Sequence, residues 1–136
     1  MLDLSLALSW YFEDERTPAA DRLLDRVAEE GAVVPTLWRL EIANGFRHAI
    51  RRKRIDPTFR NKAISQLARL PIAIDPETDR YAWTTTLLLA DRFDLTLYDA
   101  AYLELAQRRA LPLATLDRAL CAAAGALGVG LLGAGP

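Results

Sequence analysis

Pro71-Ile72-Ala73-Ile74-Asp75-Pro76 holds two structural signals back to back. The apolar run is too short for a helix, is rich in β-branched side chains and is bounded by proline and aspartate, so residues 71–74 read as a strand. Asp75 followed by Pro76 then reads as a helix N-cap with proline at the first helical position, where the ring's fixed φ suits and its missing N–H costs nothing. A strand that feeds directly into a helix does not return as a hairpin. The same punctuation occurs twice earlier in the chain. Thr17-Pro18 and Asp56-Pro57 are caps of the same kind, and the three predict helices over 19–30, 58–70 and 77–92. Further helices are read over 6–12, 37–54, 97–109 and 117–127, and further strands over 1–4, 32–35, 111–115 and 129–132. Short unalternating strands of this kind suit burial on both faces. Strands separated by helices imply a parallel sheet with helices on both sides, a doubly wound α/β domain.

Length and composition agree with one domain spanning 1–136. With 51% hydrophobic and 26% charged residues the chain can build its own core, which excludes disorder, collagen and a disulfide scaffold. Cys121 is the single cysteine, so no intramolecular disulfide and no thiolate zinc site can form, and a reducing compartment is expected. The net charge of −1 means that affinity for nucleic acid must come from a local patch. Residues 119–136 carry no charge, but five glycines among alanines make them too weakly hydrophobic to span a membrane. The N-terminal residues, with Asp3 and then Glu13-Asp14-Glu15, lack the pattern of a signal peptide, so a cytoplasmic protein is expected.

Ligands of open parallel sheets bind beyond the carboxyl ends of the strands, where strand order reverses. Asp3 ends the first predicted strand, and Asp117 follows the fourth in Leu113-Ala114-Thr115-Leu116-Asp117. Either alone is an ordinary strand end or cap. Glu41 is flanked by Leu40 and Ile42 and stands one turn from Leu37 and Trp38, a setting that buries it in part. Asp99 lies in Leu97-Tyr98-Asp99-Ala100-Ala101-Tyr102-Leu103, where an acid also complements a helix start. Neither has a lysine or arginine three or four residues ahead. If the four carboxylates converge, two like charges ~5 Å apart at an effective dielectric of ~20 repel by about 3 kcal/mol. Such a cluster calls for a cation, and an oxygen-only donor set suits Mg²⁺ or Mn²⁺.

A basic segment supplies the local patch. Arg47, Arg51, Arg52, Lys53, Arg54, Arg60 and Lys62 face only Asp56 in charge, a net of +6 that is a candidate for phosphate contacts or a solvated helix end. His48 is the only histidine, which gives little support to paired histidine chemistry. Trp10, Tyr11 and Phe12 at the close of the first helix, with Trp38 and Trp83, read mainly as core. No glycine-rich phosphate loop is present, so ATP and NAD are unsupported.

Four phrases in order resemble the PIN-domain ribonucleases, and in particular the VapC toxins of bacterial toxin–antitoxin pairs. They are Leu2-Asp3-Leu4-Ser5-Leu6-Ala7-Leu8-Ser9-Trp10, Val34-Pro35-Thr36-Leu37-Trp38-Arg39-Leu40-Glu41-Ile42-Ala43-Asn44, Leu95-Thr96-Leu97-Tyr98-Asp99-Ala100-Ala101-Tyr102-Leu103-Glu104-Leu105-Ala106, and Leu111-Pro112-Leu113-Ala114-Thr115-Leu116-Asp117. The resemblance implies a three-layer fold with a five-stranded parallel sheet flanked by helices. It places Asp3, Glu41, Asp99 and Asp117 at the metal site as catalytic acids, with Ser5, Asn44 and Thr115 as supporting polar groups. It further implies Mg²⁺- or Mn²⁺-dependent hydrolysis of RNA by a water nucleophile, a homodimer and a cognate antitoxin, with Arg47, Arg51, Arg52, Lys53 and Arg54 available to bind RNA. Only Met1 and Leu2 precede Asp3, fewer apolar residues than the family carries there, so either a shortened first strand or a true start upstream of Met1 is expected. The competing readings are a catalytically silent PIN-fold module that binds RNA or an antitoxin, and a phosphoryl-transfer domain of the haloacid-dehalogenase or receiver kind. The latter would need a second acid near Asp3 and a lysine near the last strands, but Ser5 stands there and no lysine follows Lys62.

Overall fold

A computed structural model describes residues 2–132, the side chain of Leu4 apart. Met1 and residues 133–136, with Gly133 and Gly135 of the tail, lie outside the described residues. The order is α1 (Leu4–Ser9), a 3-10 turn (Glu13–Glu15), α2 (Pro18–Glu30), β1 (Ala32–Val34), α3 (Trp38–Arg51), α4 (Pro57–Ala68) and β2 (Ile72–Ile74). A second 3-10 turn (Asp79–Tyr81), α5 (Thr85–Phe93), α6 (Leu97–Arg108), β3 (Leu113–Ala114), α7 (Arg118–Leu127) and β4 (Leu131–Leu132) complete it.

Most helix starts follow from the local chemistry of their caps. Thr17 accepts from the Ala20 N–H, Asp56 from Phe59, Thr96 from Asp99 and Asp117 from Leu120, each satisfying an N–H that the first turn leaves without a partner. The Asp75-Pro76 signal fails. In place of a helix over 77–92 the chain makes a turn at Asp79–Tyr81 and becomes helical at Thr85; the fully buried Asp75 carboxylate binds Arg108 and Arg109 as well as the Glu77 N–H and the Thr78 hydroxyl. The first helix also stops earlier than expected, at Ser9, so Trp10, Tyr11 and Phe12 follow it instead of closing it.

All five strand positions carry parallel pairing, but in fragments. β1 pairs with β2 over Ala32–Val34 and Ile72–Ile74, and β3 pairs with β4 through Leu113↔Leu131 and Ala114↔Leu132. Leu2 adds one parallel bridge to Ala114, reinforced by the Asp3 N–H on the Ala114 carbonyl at 3.0 Å. The first strand is a single bridge because Asp3 is already the N-cap residue of α1. Among the described residues no ladder joins the two pairs. Leu2, Ala32, Ala73 and Ala114 instead line one cavity of about 430 Å³ beside Leu23 and Val27 of α2. Burial on both faces holds for β3 and fails for β2, where Ala73 and Ile74 are exposed.

Helix α6 is the centre of the packing. Seven consecutive residues, Ala100 to Ala106, are buried, as expected of a helix covered all round, and α6 packs on α5, α7 and β3. Helix α1 packs on α3, and Gly45 permits it, since a Cβ there would lie 2.5 Å from the Leu8 methyl. Phe12, Trp10 and Trp38 join the core as expected, whereas Trp83 is 89% exposed. Its position in the turn ahead of α5, outside any helical face, removes the reason to expect it inside. The uncharged C-terminal run becomes the ten-residue α7, stopped by Gly128 at φ 73°. Among the described residues no helix is long and apolar enough to cross a membrane.

Candidate active site

The first acid is set by its own short segment and by the end of β3. Asp3 is 3% exposed, and its Oδ2 accepts from the Ser5 hydroxyl at 2.7 Å and from the Thr115 hydroxyl at 2.5 Å. Thr115 Oγ1 in turn accepts from the Asp117 N–H at 3.0 Å, and Ser5 Oγ accepts from the Leu116 N–H at 3.0 Å. These bonds tie the start of the chain to the loop that carries Asp117. Ser5 and Thr115 therefore sit beside Asp3. Asp117 spends one oxygen on the Leu120 N–H at 2.9 Å.

Glu41 comes from the first turn of α3 and Asp99 from the first turn of α6. Both are partly buried, which the apolar neighbours of Glu41 predicted. Burial pushes the Glu41 carboxyl above its ordinary range, the Tyr102 hydrogen bond pulls it back, and the charges of Asp3 and Asp99 push it up again. Asp99 is also raised, by burial and then by Asp117 and Asp3, with the Thr96 hydroxyl opposing. The four acids thus share one electrostatic neighbourhood. Asp14, Glu15, Asp21, Glu30, Asp75, Glu77 and Glu104 all pair with arginines, while Glu41, Asp99 and Asp117 form no ion pair among the described residues.

The residue that sequence reasoning missed is Tyr102. Its ring is fully buried and its hydroxyl donates to Glu41 Oε1 at 2.5 Å, across 61 positions of sequence. Burial and the neighbouring carboxylates drive the phenol far up, so it remains a protonated donor. The only sequence signal was its place three residues after Asp99, which puts both on one side of a helix. Cys121 lies close by, but burial and the charges of Asp117 and Asp3 raise its thiol, so it is no thiolate nucleophile.

A groove of about 350 Å³ leads away from Ser5 and Asp117 past Gly45 and His48 to Arg52 and Arg54. Of the four acids only Asp117 lines it, together with Glu15 and with Arg52 and Arg54 of the basic segment. Arg47, Arg51, Arg52 and Lys53 are exposed, whereas Arg54 is held by Asp14 at 2.7 Å and Glu15 at 3.5 Å and lies over the Phe12 ring. Arg47 and Arg51 do not line this groove. Asn44 is exposed and contacts the His48 ring at 3.4 Å, with no bond to an acid among the described residues.

A sequence profile of the PIN domain matches residues 1–126. The chain belongs to the PIN domain family. No curated protein matches it significantly in sequence. A similar solved structure is that of PAE2754 from Pyrobaculum aerophilum, which aligns with a TM-score of 0.60 at 23% identity over 90% of this chain and 82% of the other. At that identity the likeness is one of fold. PIN domains have a three-layer α/β fold and are generally metal-dependent nucleases, so a nuclease, a hydrolase of phosphodiester bonds, is the coarse reading of this PIN domain.

The donor set fits a hard divalent cation: four carboxylates, oxygen only, short of positive charge and beside two hydroxyls. Among the described residues no three histidine, cysteine or acidic side chains are gathered tightly enough to form a ready coordination shell. Asp3, Glu41 and Asp117 each turn one oxygen to a protein donor.

Proposed function

We propose that this PIN domain is a metal-dependent endoribonuclease acting as the toxin of a toxin–antitoxin pair. Asp3, Glu41, Asp99 and Asp117 would hold Mg²⁺ or Mn²⁺, directly or through water. The observation that carries the reading is the shared neighbourhood of four acids, three of which are partly buried with no ion pair among the described residues, whereas the unpaired acids elsewhere are exposed to solvent. A bound divalent cation supplies a lowered pKa for water and charge neutralisation at the scissile phosphate.

The chain's own groups supply the rest. Ser5 and Thr115 hold the Asp3 carboxylate by Oδ2. Asp117 is aimed by its cap bond at the start of α7. Arg52 in the groove offers a guanidinium to a phosphate next to the one being cut, a contact that sets register without reading bases. Arg54 shares its Nη2 with Asp14 and Glu15, which weakens its pull on a phosphate. Arg47, Arg51 and Lys53 extend the positive field beyond the groove. Completion of the five-stranded sheet, the antitoxin and the homodimer rest on the VapC resemblance. Exposed Trp83 and Leu88, 89% and 68% accessible, are the kind of apolar surface that an interface covers.

The test is cleavage of total cellular RNA by purified, antitoxin-free protein in Mg²⁺, Mn²⁺ or EDTA, beside Asp99→Asn. Discrete fragments that need the metal and disappear with the variant are expected. Folded, inhibitor-free protein that cuts nothing with either metal would leave a silent RNA- or antitoxin-binding module as the reading.

A further inference from the structure

We propose that Tyr102 is a positioning residue whose phenol pins Glu41 by Oε1, so that Glu41 offers a divalent cation one preset oxygen, Oε2. The inference rests on the metal-dependent reading above. Glu41 Oε1 accepts the Tyr102 hydroxyl at 2.5 Å, and Oε2 makes no hydrogen bond among the described residues. The ring is fully buried in α6, so the donor itself is held still. A glutamate has three side-chain torsions, and restraining them before a ligand arrives removes ordering cost from the binding step.

Two features separate this arrangement from ordinary core packing. First, the pattern repeats at neighbouring acids: Asp3 is held through Oδ2 by two hydroxyls and Asp117 through Oδ1 by a backbone N–H. Each donor is neutral. An arginine or lysine would orient a carboxylate equally well, but it would also discharge the cluster and compete with a cation. A phenol orients Glu41 without adding positive charge. Second, Tyr102 shares α6 with Asp99 at a spacing of three residues, so one rigid helix presents one acid and sets the direction of another. Any displacement of α6 would therefore move both together.

The experiment is a Mn²⁺ titration of the full chain, read by calorimetry or by the resonance signal of free Mn²⁺, for wild type, Tyr102→Phe, Glu41→Gln and the double variant. Phenylalanine keeps the buried ring, and circular dichroism with a cooperative melt checks the fold of each protein. Partners that orient a metal ligand are commonly worth 10–100-fold in affinity, and Tyr102→Phe is expected to weaken Mn²⁺ binding by about 10-fold. In the Glu41→Gln background the same change should have no further effect, since the phenol acts only through that carboxylate. Wild-type affinity in Tyr102→Phe, or an equal loss in both backgrounds, overturns the proposal while leaving the metal site standing. Absence of Mn²⁺ binding by wild type, or indifference to Glu41→Gln, overturns the metal-dependent reading and this inference with it.

Discussion

Asp75→Asn tests the bonding assigned to the end of β2. The Asp75 carboxylate is fully buried, with Arg108 Nη2 at 2.6 Å on Oδ2, Arg109 Nη2 at 2.9 Å on Oδ1 and a longer Arg108 contact of 3.3 Å to Oδ1. Arg108 also binds Glu104, itself 3% exposed, at 2.7 Å. Asparagine has the same shape but only one accepting oxygen. Whichever way the amide turns, its NH₂ meets a guanidinium, so at least one charge-assisted bond worth about 1.5–3 kcal/mol is lost. The change also leaves the group one positive charge in excess. Breaking a buried pair costs about 3–5 kcal/mol, but Arg108 is 20% and Arg109 38% exposed, and water will screen part of that. A loss of about 3 kcal/mol combines these terms. For 136 residues the unfolding entropy is roughly 0.3 kcal/mol/K, so the melting temperature should fall by about 10 °C. Urea unfolding at neutral pH gives the free energy and a thermal scan the shift.

The pH dependence supplies a second check on the same bonds. Burial alone would raise the Asp75 carboxyl, but the hydrogen bonds and charge of Arg108, helped by Arg109, outweigh it and hold the group below the usual range. A depressed folded pKa stabilises above the unfolded value, about 3.9, and that stability is lost as pH falls through the folded pKa. The gap between wild type and Asp75→Asn should therefore be full at neutral pH and close under acid. A loss under about 1 kcal/mol, or a gap unchanged in acid, would refute the reasoning.

The site acids should show the opposite sign. Glu41 and Asp99 have raised carboxyls, so their contribution to stability is present below about pH 4 and is lost as pH rises through their folded values. Metal-free Asp99→Asn should consequently melt higher than wild type near neutral pH while losing cleavage, and added Mg²⁺ or Mn²⁺ should raise the wild-type melt more than that of the variant. Arg52→Ala should weaken RNA binding and flatten its salt dependence by about 0.7 in the log–log slope, the value for one phosphate contact on a single strand, with little change in melting. Gly45→Ala should change urea stability by under about 1 kcal/mol, because the new methyl meets only the end of the half-buried Leu8 side chain while alanine gains about 1 kcal/mol of helix propensity over glycine.

Local chemistry written in consecutive residues was legible. The caps at Thr17, Asp56 and Asp117 act within three residues of themselves, so they appear in the sequence as they appear in the fold. The five strand positions and their parallel sense follow from short apolar runs separated by helices. The partial burial of Glu41 likewise followed from its apolar neighbours. Asp75 shows the limit of this reasoning. It carries the same signature as the other caps, yet its carboxylate is claimed by arginines 33 and 34 positions away. Two charged guanidiniums join the Glu77 N–H and the Thr78 hydroxyl on that buried carboxylate, and no window of local sequence contains them.

The sequence by itself determined an α/β chain with parallel strands, the four acidic phrases in order and a basic segment near the second of them. Only the tertiary structure decided which oxygen of each acid is occupied, that Tyr102 holds Glu41, that Arg54 is drawn to Asp14 and Glu15, and that Arg52 lies along the groove from Asp117. It also decided that the first strand shrinks to one bridge at Leu2 and that Trp83 stays outside. The reason is the range of the forces involved. Turns, caps and periodicity act over a few residues, whereas the direction of a buried carboxylate depends on donors brought from 61 and 112 positions away by packing around α6 and β3.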